Sequence, residues 1–168
     1  MMRLLKCAGK IKKRFIYKLS FAGSMAHYII DSNIVIKAIQ NWELRNSILY
    51  CSHTFSAPKK LVGEVTAKKN KIVRRTKISP SEYDARWNEL RKKISLVDVD
   101  QSRINQAEMI LRSLKHLGIT VHDKAFFAIS LYLKCSFWTF EKKYWEKSSV
   151  RNALHANGIT VVSTIDSE

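Results

Sequence analysis

Four carboxylates stand where side chains can do chemistry. Asp31 directly follows the apolar run Tyr28-Ile29-Ile30, and Glu141 follows a strand candidate over 136–139. Asp123 opens the almost wholly apolar stretch 125–133, and Glu64 sits three residues after Leu61 and next to Val65, at the margin of an apolar face. Carboxylates brought close together repel, which raises some of their pKa values. A hard divalent cation relieves that repulsion and prefers oxygen ligands. In a chain that otherwise repels cations, four acids so placed look like a site built to hold one. Each acid also has a structural explanation of its own. Asp31 or Asn33 can cap the following helix, and Glu64 can pair at i,i+4 with Lys60 or Lys68. Thr120 and Asp123 have capping-box spacing, and Glu141 can complement a helix macrodipole.

The elements that must hold these acids alternate in type. A short strand over 28–30 ends at Asp31-Ser32-Asn33, and helical patterns follow over 34–42 and 44–50. An extended piece over 54–57 meets Pro58, suited to the first turn of a helix running to about Lys69. Ser79-Pro80-Ser81-Glu82 is a capping box that opens a helix burying Tyr83, Trp87 and Leu90. A strand over 94–99 precedes a helix with Ile104, Ala107, Leu111 and Leu114 on one side, stopped by Gly118. The stretch 125–133 predicts a helix buried against several neighbours. A strand over 136–139, a helix over 141–147 and a strand over 159–163 complete the pattern. Trp42, Trp87, Trp138 and Trp145 read as core, with Trp145 also able to stack on a base. The alternation predicts one α/β domain, with a mostly parallel central sheet of about five strands and helices on both faces. In such sheets ligands bind beyond the carboxyl ends of the strands, where the strand order reverses.

Composition narrows the partners. The 168 residues are 46% hydrophobic, enough for one buried core, which argues against a disordered tail or a disulfide miniprotein. Thirty Lys and Arg against fourteen Asp and Glu give a formal charge of +16 and point to a polyanion. Between 59 and 77, Lys59, Lys60, Lys68, Lys69, Lys71, Arg74, Arg75 and Lys77 face Glu64 alone, a candidate strip for phosphate contacts. The alternative is a solvated helix end and loop. Residues 1–24 form a basic N-terminal extension. It is either an arm that touches nucleic acid or a segment outside a working domain over 25–168 that begins at Met25. No apolar run is long enough to span a membrane. Cys7, Cys51 and Cys135 are scattered and odd in number, which suits a reducing, cytoplasmic compartment. Five glycines form no phosphate loop or dinucleotide fingerprint, and the five histidines show no zinc spacing.

The motifs around the acids resemble the PIN-domain pattern of metal-dependent ribonucleases, which include VapC-type toxins. The resemblance is carried by Tyr28-Ile29-Ile30-Asp31-Ser32-Asn33, by Ala57 to Val65 around Glu64, by His122-Asp123-Lys124-Ala125-Phe126-Phe127-Ala128, and by Thr139-Phe140-Glu141. It spans about residues 28–163 and implies Asp31, Glu64, Asp123 and Glu141 as catalytic acids and metal ligands, with Asn33 and Thr139 as polar helpers. It further implies Mg²⁺ or Mn²⁺, an RNA substrate held by Lys59, Lys60, Arg74 and Arg75, a small antitoxin partner and a homodimer. One departure is Glu141, where the family usually has Asp. Two other readings stand beside it: a non-catalytic RNA-binding or scaffold module with the same fold, and a phosphatase of the haloacid dehalogenase type. The phosphatase needs a second Asp two residues after the first, where this chain has Asn33.

Overall fold

Five short strands line up in parallel. They are β1 (His27–Ile30), β2 (Thr54–Pro58), β3 (Ile94–Val97), β4 (Ser136–Trp138) and β5 (Val161–Val162), in the order β3-β2-β1-β4-β5. This computed structural model describes residues 25–165, and the basic extension over 1–24 lies outside the described residues. The chain builds from β1 to one edge, then returns past β1 to build the other, so the strand order reverses between β1 and β4. There Ile30 is level with Trp138, and the Asp31 N–H donates to the Trp138 carbonyl at 3.0 Å. The successive residues Ile29 and Ile30 point to opposite faces, and both are fully buried, so both faces are covered.

The crossovers are helical. Helices α1 (Ser32–Gln40) and α2 (Trp42–Tyr50) link β1 to β2; α3 (Lys60–Ala67), α4 (Lys69–Thr76) and α5 (Pro80–Lys93) link β2 to β3. Helices α6 (Gln101–Ser113) and α7 (Lys124–Leu133) link β3 to β4, with 3-10 turns at Lys115–Leu117 and Val121–Asp123 between them. Helices α8 (Lys142–Trp145) and α9 (Ser148–Ala156) lead to β5. The Ser79 hydroxyl accepts from Glu82 N–H at 3.0 Å, and Pro80 occupies the first turn of α5, as the capping box requires. Tyr83, Trp87 and Leu90 are buried below it. Helix α7 buries six successive residues, Ala125 to Ser130, because it packs on β1, β2 and β4 and against α6. Phe126, Phe127, Phe137 and Tyr144 close the core beside it, with Phe127 ring centroids 4.9 Å from Phe137 and 5.2 Å from Tyr144. No helix among the described residues is long and apolar enough to cross a membrane.

Several elements differ from the sequence expectation. Residues 69–76 form α4 rather than a charged loop, anchored by buried Ile72 and by Lys69, which donates to both Asp84 oxygens at 2.7 Å. The first helix stops at Gln40 because extended Asn41 caps α2, accepting from Leu44 N–H at 2.8 Å. Pro58 ends β2 instead of entering α3, β3 stops at Val97, and the helix expected over 141–147 is only α8. The following α9 buries Val150 and Leu154. Trp87 and Trp138 are core and Trp145 is half-buried, but Trp42 is 65% exposed, with the Arg45 guanidinium 5.2 Å from its ring centroid.

Phe137 is fully buried between Phe126, Phe127 and Tyr144. Phe137→Ala leaves a cavity and lowers stability by about 3–5 kcal/mol, read from the shift of a urea transition; a loss below about 1 kcal/mol would contradict this packing.

Candidate functional site

The ends of β1 and β4 deliver Asp31 and Thr139 side by side in the crevice where strand order reverses. Asp31 is 3% exposed. Its Oδ2 accepts from Thr139 Oγ1 at 2.5 Å and Asn33 Nδ2 at 2.7 Å, and its Oδ1 accepts from Ser32 Oγ at 3.3 Å. Asn33 Nδ2 also donates to Thr139 Oγ1 at 3.0 Å, and Asn33 Oδ1 accepts from Phe140 N–H at 3.2 Å. Thr139 Oγ1 further accepts from the Glu141 N–H at 3.0 Å. Asp31 sits at the N-cap of α1, yet its carboxylate makes no capping bond, so helix capping does not account for it. Burial pushes its pKa up to about 6 against the pull of the Thr139 hydrogen bond, and the nearby charge of Asp123 adds to the rise.

Asp123 reaches the same crevice from the start of α7. Thr120 makes no capping bond there, so the expected capping box does not form. Instead the Tyr144 hydroxyl donates to Asp123 Oδ2 at 2.5 Å. Tyr144 is fully buried among Phe127 and Phe137, and burial, with the charge of Asp123 behind it, pushes its pKa far up. The phenol is therefore a fixed neutral donor.

The other two acids lie further out, and each is tied to a lysine. Lys60 Nζ is 3.0 Å from Glu64 Oε1, the i,i+4 pair foreseen from the spacing, and donates to the His122 carbonyl at 3.0 Å. Lys143 Nζ is 3.7 Å from Asp123 Oδ2 and 4.0 Å from Glu141 Oε2. Among the described residues, no three His, Cys, Asp or Glu side chains group as a cluster able to hold a metal ion. The structure thus brings Asp31 and Asp123 together, with Asn33 and Thr139 on Asp31, and leaves Glu64 and Glu141 as an outer pair. Of the basic candidates, Lys59 pairs with Asp98, Lys60 with Glu64, and Arg74 and Arg75 are exposed in the last turn of α4. Sequence reasoning missed Lys143 and Tyr144. Tyr144 carries an aromatic signature that reads as core, and only the tertiary fold reveals where its hydroxyl goes.

The sequence profile of the PIN domain family matches residues 29–152. No curated protein matches the chain. Among solved structures, a chain of the crystal structure of VapBC2 from Rickettsia felis bound to a DNA fragment from their promoter has a similar fold. Its TM-score is 0.55 at 12% identity, over 81% of this chain and 97% of that one.

The raised pKa of Asp31 has a definite sign in stability. Between about pH 4 and pH 6 the folded state holds a proton that the unfolded state has released, so ionisation opposes folding as pH rises. Asp31→Asn lacks that loss. The stability of the variant relative to the unaltered chain therefore grows by roughly 2 kcal/mol from pH 4 to pH 7, measured by urea unfolding at each pH; a difference that stays flat would show Asp31 ionising as in water.

Proposed function

We propose that this chain, which belongs to the PIN domain family, is a metal-dependent endoribonuclease that hydrolyses RNA phosphodiester bonds as the toxin of a toxin–antitoxin module. The observation that carries the proposal is the buried carboxylate of Asp31, pinned at the β1–β4 switch point with Asp123 as its charged neighbour. The donor set suits Mg²⁺ or Mn²⁺. It is all oxygen, it includes a desolvated carboxylate that a cation would relieve, and Mg²⁺ needs only one or two carboxylates because it keeps several waters. Thr139 and Asn33 occupy Oδ2 of Asp31, Ser32 reaches its Oδ1 only at 3.3 Å, and Tyr144 occupies Oδ2 of Asp123, so the Oδ1 atoms are the less engaged oxygens to offer a cation. When bound, the ion supplies positive charge opposite the phosphate oxygens and acidifies water for attack on phosphorus.

The chain's own groups do the rest. Asp31 and Asp123 hold the centre, and Glu64 and Glu141 line its rim, where they accept hydrogen bonds from water and orient it. Lys59, Arg74 and Arg75 hold the RNA backbone, with the two arginines presented by α4, while Lys60 stays on Glu64 and the His122 carbonyl. The fold shared with a chain of a VapBC2 complex supports a small antitoxin protein as partner; its covering of the pocket, a homodimer and work in the cytoplasm belong to the same proposal. A second reading, a PIN-fold module that binds RNA without cutting it, draws on the lysines that hold Glu64 and Glu141 outside the central pair.

Labelled RNA incubated with Mn²⁺ or Mg²⁺ should be cut by the unaltered chain, and left intact with EDTA or by Asp31→Asn. RNA that is bound but uncut under every metal would sink the nuclease and leave the binding module.

A further inference from the structure

Two lysines make the same arrangement on opposite sides of the crevice. Lys60 Nζ contacts Glu64, the His122 carbonyl and the face of Phe126, 4.7 Å from its ring centroid. Lys143 Nζ contacts Asp123, Glu141 and the face of Tyr144, also 4.7 Å from the centroid. Each ties one outer acid to the start of α7. Exposed ion pairs contribute little because long side chains must be ordered for a screened attraction. These lysine side chains differ in being about two-thirds buried, with their ammoniums seated on ring faces, where a cation gains further attraction. The neighbouring Lys142 pairs outward with Glu146 at 3.6 Å and takes no part.

We infer that the acidic site takes a single divalent cation, and that the Lys143 ammonium holds the position between Asp123 and Glu141 that a second cation would need. The inference rests on the nuclease reading of the site and deepens it. Four carboxylates opposed by the two ammoniums leave the charge of one divalent ion to be balanced. Lys143 is the ammonium that matters for stoichiometry, because it touches both an inner acid and an outer one, whereas Lys60 meets Glu64 and a carbonyl. In this arrangement Lys143 is a positioning residue: it keeps Glu141 at the rim and confines the ion to Asp31 and Asp123.

The test counts Mn²⁺ per full-length chain by electron paramagnetic resonance of the free ion. The unaltered chain binds one, and Lys143→Arg and Lys142→Gln also bind one. Lys143→Gln or Lys143→Met, whichever keeps the native urea transition, binds two. Two ions on the unaltered chain, or one on a folded chain lacking the Lys143 charge, overturns the inference while leaving the metal site standing. No Mn²⁺ on the unaltered chain overturns the metal site itself, and the inference with it.

Discussion

The hydrogen bonds that close around Asp31 constrain everything else at the crevice. A carboxylate taken out of water loses hydration that only close donors can replace, and Thr139, Asn33 and Ser32 replace part of it. The remainder shows as a pKa near 6. Those donors come from both sides of the switch point, so the same bonds that satisfy the acid also set the path of the chain after β4. Asn33 takes the Phe140 N–H and Thr139 takes the Glu141 N–H. The position of Glu141 therefore depends on Asp31 through two backbone contacts, not on the local preference of residues 139–141.

Charge is organised at two scales. Over the whole chain an excess of Lys and Arg suits a polyanion. Inside the crevice the same residue type works in reverse, with Lys60 and Lys143 each screening an acid against its neighbours. The start of α7 serves both sides, presenting the His122 carbonyl to one lysine and the Asp123 carboxylate to the other. Behind it, Tyr144 joins Asp123 to the aromatic core, so the packing of Phe127 and Phe137 reaches the site through one phenol.

The fold was legible in the sequence wherever burial leaves a strong pattern. The apolar run at β1, the capping box at Ser79 and the stretch of α7, apolar but for Ser130, each state their element plainly. Helix α4 did not, because its eight residues are mostly polar or cationic and bury only Ile72, so a one-sided pattern this short and this hydrophilic reads as a charged loop. At the site, the strand-end position of Asp31 and the order of the four acids could be read directly. What could not be read was the division into an inner pair and an outer pair. That division depends on where lysine side chains settle and on which oxygen a tyrosine meets, and spacing along one chain carries neither.

The bond from Thr139 to Asp31 spans 108 positions in sequence. Asp31 directly follows the first strand described, and the partner that completes it directly follows the fourth. During synthesis at about 5–20 residues per second, the nascent chain therefore carries Asp31 for on the order of 5–20 seconds before Thr139 exists to meet it. Throughout that interval the acid is an ordinary solvated carboxylate with no pocket around it. The arrangement around Asp31 arrives late and all at once, when β4 slots in beside β1, and a chain cut short before that point carries Asp31, Glu64 and Asp123 without Thr139 and Glu141.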